Sequence, residues 1–301
     1  MSVRLLGSAM LRLCLQLLLV TFLAFILLAM SPIEPLNYYI GGQMMSLSAE
    51  QRMLLSQNLG FDQSIATRFL LWSQSLLQGD LGISLKFQQP VWDIIVERFP
   101  ASLRLMGASW LLALVLGYTL GLVAALKENT FIERFISRMA WVLASTPSFW
   151  LGLILIYIFA VELRLLPVCC SAPLGMAPSQ VPFWTQVQHL VLPCIALACA
   201  SLPAIILHTK EKVLDVLASE HVNYARMHGL TTGRVIHWHI LRNSFTPALV
   251  LQCASFAELF SGSVLAETVF NFPGLGNTLV LAGLSGDTAL LMGITLIAAV
   301  F

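Results

Sequence analysis

This sequence predicts an all-α membrane protein with six transmembrane helices, and three observations carry the prediction. Hydrophobic residues fill 58% of its 301 positions and charged residues only 10%. A soluble domain carries about 25% charged residues, so most of this surface must meet lipid. The apolar residues gather in runs close to the roughly 20 that a spanning helix needs. The basic residues, in turn, collect in alternate loops. Net charge is +1, which gives no reason to expect a nucleic-acid partner.

The first run, 13–30, follows Arg4 and Arg12 and closes at Ser31-Pro32. It is longer than the roughly 7–15 residues of a signal-peptide core and lacks a good cleavage site, so it reads as an uncleaved first span within residues 1–31. Further spans are predicted at 101–126, 139–161, 189–208 and 246–266. A sixth begins near Thr288 and is still apolar at Phe301, which is too few residues to cross.

Lys/Arg placement sets orientation. Arg4 and Arg12, then Lys127, Arg134 and Arg138, then Lys210, Lys212, Arg226, Arg234 and Arg242 put ten of the sixteen basic residues on one side. The N-terminus is therefore expected in the cytoplasm, with Thr130 and Ser219 inside and loop 32–99, including Gln43 and Gln88, outside. Within that loop Ile65, Phe69, Trp72 and Leu76 recur at helical spacing. They predict a short helix that either packs on the spans as a lid or touches solute. Tyr38, Tyr39, Trp110, Trp150 and Trp184 read as interface anchors.

The chemistry of an enzyme is hard to find. There is no G-x-x-x-x-G-K-[ST] loop for nucleotide and no H-E-x-x-H or G-x-S-x-G, so no catalytic residue is assigned. An intramembrane enzyme and a proton-coupled secondary transporter are the alternatives on composition. The first lacks paired intramembrane aspartates, and the second would need inverted repeats with matching broken helices. His221, His228, His237 and His239 lack zinc-ligand spacing. Cys169, Cys170 and His189 have soft-ligand character but nothing that fixes their geometry, so no metal ligand is assigned. The remaining cysteines lie in apolar runs as small hydrophobes, and adjacency disfavours a bridge between Cys169 and Cys170.

Charges within spans are costly, which makes Glu258 and Glu267 candidates for function. Ser255 and Gly262 lie at i−3 and i+4 from Glu258, hence on its face. A face of small and polar residues means either a tight helix contact or a water-filled path. Glu258, Ser255, Gly262 and Glu267 are therefore the translocation-path candidates, with Glu267 read more as the anchor of the 267–276 turn.

Residues 220–247 form a basic, histidine-bearing, helix-compatible segment between two spans, suited to being gripped by another protein. With Ala225, Gly229 and Leu241 at their spacing, and with Glu220 and Tyr224-Ala225-Arg226, it resembles the cytoplasmic coupling loop of ABC-importer permeases of the dipeptide/oligopeptide/nickel group. Leu59-Gly60-Phe61-Asp62-Gln63, Gly79-Asp80-Leu81-Gly82-Ile83-Ser84, the stretch 145–152 and the turn 267–276 extend the resemblance, in family order. Arg104 and Gly286-Asp287-Thr288 depart from it, which bears on the solute and not on the fold.

The resemblance implies a type I importer permease fold, one transmembrane domain over 1–301. Loop 32–99 would be external, residues 100–301 would hold the core spans, and 209–245 would be the coupling loop. It also implies that the last span continues past Phe301. Glu220, Tyr224, Ala225, Arg226, Gly229 and Leu241 would form the ATPase-coupling set, with residues 214–229 as a short helix pair turning at Gly229. The implied partners are a second homologous permease, two ATP-binding subunits and an external solute-binding protein, in a bacterial inner membrane. ATP and its Mg would sit on the partner subunits, with no cofactor in this chain. The solute would be a small peptide or a nickel or other metal chelate.

Overall fold

The computed structural model describes residues 3–31, 49–58, 62–173 and 181–300. Tyr38, Tyr39, Gln43 and the 59–61 start of the first external motif lie outside them. In chain order the helices are α1 (Val3–Ala29), α2 (Ala49–Asn58), α3 (Ile65–Leu77), α4 (Val91–Leu126), α5 (Phe131–Ser145) and α6 (Ser148–Leu155), which runs on into a π-helical Ile156–Glu162. After them come α7 (Phe183–Ala218), α8 (Glu220–Met227) and α9 (Thr232–Val235), the last leading into a π-helical Ile236–Leu241. The chain ends with α10 (Arg242–Ala254), α11 (Phe256–Val269), α12 (Leu275–Ser285) and α13 (Thr288–Val300).

Among the described residues three helices are long and apolar enough to cross a bilayer: Met10–Ala29 within α1, then α4 and α7. Two expected single spans are bent. The run 139–161 turns by 108° between α5 and α6, and 246–266 turns by 55° between α10 and α11. The first bend has a local cause. Pro147 crowds the helical conformation of the residue before it, so Thr146 is extended with ψ 127° and Pro147 starts the next helix. α12 and α13 have 11 and 13 residues, shorter than a crossing requires.

The chain divides into two compact units, Met1–Pro100 with Asn277–Phe301, and Ala101–Gly276. In the first, α1 lies along α13, and Phe22 and Phe25 of α1 meet Phe69 of α3 edge-on at 5.1 and 5.5 Å. The helical stripe expected at 65–76 thus exists, and its Phe69 packs on the first span. Asp287 is fully buried. It accepts from Ser84 Oγ at 2.6 Å and Lys86 N at 3.1 Å, and caps α13 through Leu290 N.

In the second unit α7 is the hub, with α5, α6, α10 and α11 packed on it. Lys210 of α7 pairs with Glu133 of α5 at 2.5 Å. Gly121 of α4 faces α7 so closely that a β-carbon there would lie 2.6 Å from Ile206 O. Together with Gly117, also pressed on α7, it forms the small-x-x-x-small pattern of membrane helix contacts. Trp110 is not an interface anchor. It sits mid-helix in α4 and exchanges two hydrogen bonds with Gln252 of α10, Trp110 Nε1 to Gln252 O at 2.8 Å and Gln252 Nε2 to Trp110 O at 2.9 Å. Cys169 and Cys170 are bonded to each other, contrary to the expectation from adjacency. Their loop is held by Cys170 N donating to Phe270 O at 2.9 Å and by His189 Nδ1 against Cys169 O at 2.9 Å.

Candidate functional site: a helix-lined groove and an exposed helix

The segment expected as a loop from 209 is still helix to Ala218, because no glycine or proline interrupts it and Val213 and Val216 have a buried cluster to enter. That cluster joins them to Ala125, Val222, Val235 and Ile240. Ser219 is extended, with ψ 151°, and separates α7 from α8. Glu220 in the first turn of α8 and Arg226 in the last each complement the local helix dipole.

α8 has an inner and an outer face. Val222 and Ala225 are buried, whereas Tyr224 is 61% and Met227 78% exposed. Tyr224 lies against His228, with ring centroids 4.0 Å apart and planes tilted by 36°, and Glu220, Arg226 and Gly229 are exposed beside them. Gly229 has φ +80°, the left-handed conformation that glycine adopts without a steric penalty. It closes α8 as Leu230 N donates back to Ala225 O at 3.1 Å, the six-to-one bond of a glycine-terminated helix.

Two sequence expectations change here. Gly229 divides α8 from α9, so the helix pair is 220–227 with 232–235 and does not lie within 214–229. Ala225 faces inward and Leu241 is half-buried, its carbonyl held by Tyr118 Oη at 3.4 Å. Neither belongs to the exposed face of α8.

Between α7 and α10–α11 runs a groove in two connected parts that share Leu251 and Ala254. The upper part, about 270 Å³, is lined by Ser255, Glu258 and Gly262 on one side and Leu197, Ser201 and Ala204 on the other. Three of the four path candidates are therefore brought together. The lower part, about 510 Å³, places His208, Glu211, Lys212 and Asp215 of α7 opposite α10. These four were missed, although their recurrence at i, i+3, i+4 and i+7 was a legible helical stripe.

Glu267 is elsewhere and fully buried. Its Oε1 accepts from Ser102 Oγ at 2.7 Å, and Ser102 Oγ in turn accepts from Leu275 N at 2.8 Å. The carboxyl thus ties α4 to the turn between α11 and α12. Among the described residues no three His, Cys, Asp or Glu side chains are arranged to hold a metal ion.

Residues 117–301 match the family model of the binding-protein-dependent transport system inner membrane component, and residues 2–106 match the N-terminal model of such membrane components. The dipeptide transport system permease protein of Escherichia coli strain K12 is 32% identical over 279 residues, 87% of this chain and 82% of that one. The oligopeptide transport system permease protein of Bacillus subtilis strain 168 is 29% identical over 282 residues, 93% of this chain and 87% of that one. The glutathione transport system permease protein of Escherichia coli O6:H1 is 33% identical over 261 residues, 87% and 80% of the two chains. Among solved structures, a chain of the inward-facing MetNI methionine ABC transporter shares the fold at a TM-score of 0.55 and 16% identity, covering 69% of this chain and 88% of that one. Fold, apolar helices and family models agree: the chain belongs to the inner-membrane permease components of binding-protein-dependent ABC importers.

Proposed function

We propose that this permease moves a short peptide inward, driven by ATP hydrolysis on separate subunits, with the α7/α10–α11 groove as its half of the path. The observation that carries the reading is the gathering of Glu258, Ser255 and Gly262 in one groove that continues toward the segment bearing α8. Peptides are what the relatives' names specify. A second homologous permease would face the groove and complete the path. Two ATP-binding subunits would grip the outer face of α8 through Glu220, Tyr224, Arg226 and their neighbours, in a helix-in-groove contact, and their closure would pass to α7 as a rigid-body motion. Nucleotide and Mg belong to those subunits, and an external receptor would deliver the solute.

Glu258 is the test. A carboxylate facing lipid costs about 2.5–3.5 kcal/mol on insertion scales, so it must face a path or another helix. If it faces the path, Glu258→Gln assembles normally but loses a charge-assisted contact to a peptide ammonium, lowering uptake of free-amine dipeptide roughly tenfold. Uptake of an N-acetylated dipeptide changes little, and a nickel chelate serves as the cationic comparison. Wild-type uptake by Glu258→Gln, with poor assembly of Glu258→Leu, would instead make Glu258 an interhelical contact.

Orientation follows from the basic loops. In intact cells a cysteine at Gln88 should react with an impermeant thiol reagent, and cysteines at Thr130 or Ser219 should not. The reverse pattern would put α8 outside and end the docking reading.

A further inference from the structure

The lower groove carries a charge pattern that a mere passage does not require. His208 and Lys212 are one turn apart on α7, as are Glu211 and Asp215, so a basic and an acidic column stand side by side on one face. All four line the cavity of about 510 Å³, a volume within the range of small-molecule sites. Among the described residues the ion pair is that of Lys210 with Glu133, and none of these four is paired in that way. Thr209 lines the same cavity at 1% exposure, and its Oγ1 has no hydrogen-bond partner. That hydroxyl is closed off from the cavity, and Thr209 Cβ and Cγ2 pack toward Gly121 of α4, so the charged side chains are what the cavity presents to a guest.

We propose that the lower groove is a release site for a small zwitterion, a peptide of two or three residues with both termini free. The carboxylate would sit on the His208–Lys212 column and the ammonium on the Glu211–Asp215 column. Neighbouring positions on a helix face are about 5–6 Å apart at Cβ, and termini of such a peptide are separated by about 6–10 Å at roughly 3.5 Å per residue. The fit excludes longer peptides from engaging both columns at once. The upper groove cannot hold both ends, because Glu258 is its charged lining residue and no cation lines it. This inference rests on the groove being the path and names what its cytoplasmic end recognises.

The test uses the assembled importer with its partner subunits in nanodiscs. Cys14 and Cys253, the exposed free cysteines, are replaced by serine, and Val250→Cys, in the cavity wall and 62% exposed in the wild type, is the reporter. Dialanine should slow its reaction with an impermeant maleimide, whereas N-acetyl-dialanine amide should not. Lys212→Gln should raise the dialanine needed for protection roughly tenfold, and Lys212→Arg, which keeps the charge, should restore it. Equal protection by the blocked peptide, or none by dialanine, overturns the proposal. So does a reporter that reacts in the isolated permease but not in the assembly, since a protein surface then covers the cavity. Normal uptake by Glu258→Gln with dialanine protection intact would remove Glu258 from the path while leaving this binding site standing.

Discussion

Gly274→Ala is expected to cut the yield of folded permease more than tenfold. Glu267 is fully buried, and the turn that follows it wraps its own carboxyl. Phe272 N donates to Glu267 O at 2.8 Å, and Ser102 bridges Glu267 to Leu275 N. A β-carbon on Gly274 would fall onto the Glu267 carboxyl, and one on Gly276 would lie 2.6 Å from Val264 Cα and 2.9 Å from Glu267 Oε2. The carboxyl is enclosed and has nowhere to retreat. Overpacking costs about 1–3 kcal/mol, and displacing a carboxyl from its buried donors adds roughly 1–3 kcal/mol for each group left unmet. Against a total stability of about 5–15 kcal/mol that removes a large share of the margin, and a loss of only about 1–2 kcal/mol already changes cellular abundance several-fold. Gly107→Ala is the control. Nothing lies within 4 Å of a β-carbon there, and alanine favours helix over glycine by about 1 kcal/mol, so its yield should match or exceed wild type. Wild-type yield and melting temperature for Gly274→Ala would show that the turn repacks, and the network would lose its assigned role.

Gly229→Asp should abolish transport and leave insertion intact. A β-carbon on Gly229 meets nothing within 4 Å, so there is no clash to unfold the protein. A φ of +80° costs an ordinary L-residue about 1–2 kcal/mol and Asp somewhat less, but Asp also sets a negative charge at the C-terminus of α8, where it opposes the helix dipole. That is small for the whole fold but large for a helix of eight residues whose end depends on the Leu230–Ala225 bond. α8 should fray, and Tyr224 and Met227 should lose their fixed presentation. Uptake should fall to background while the amount of permease in the membrane stays near wild type. Gly229→Asn, whose side chain tolerates the left-handed region, should retain part of the activity. Normal uptake by a stable Gly229→Asp protein would dissociate this turn from coupling.

The sequence by itself determined the class: long apolar helices, basic residues gathered in alternate loops, a helical stripe at Phe69 and Trp72, and a basic helical segment ended by glycine. Each of these is a local property, set by hydropathy, by helical periodicity or by the unusual backbone freedom of one residue. It also put Ser255, Glu258 and Gly262 on one face, because helix geometry alone relates i−3 and i+4. Only the tertiary structure decided what those faces meet. Whether Val222 points in or out depends on Val213, Val235 and Ile240 closing beneath it. Trp110 reads as an anchor from composition and proves to be the partner of Gln252, which lies 142 positions away. Glu258 and Glu267 look alike in sequence, two carboxylates nine residues apart on apolar runs. One lines a groove and the other is sealed by Ser102 and Gly274, because side chains distant in sequence, and not the local pattern, determine the room and the donors each carboxyl finds.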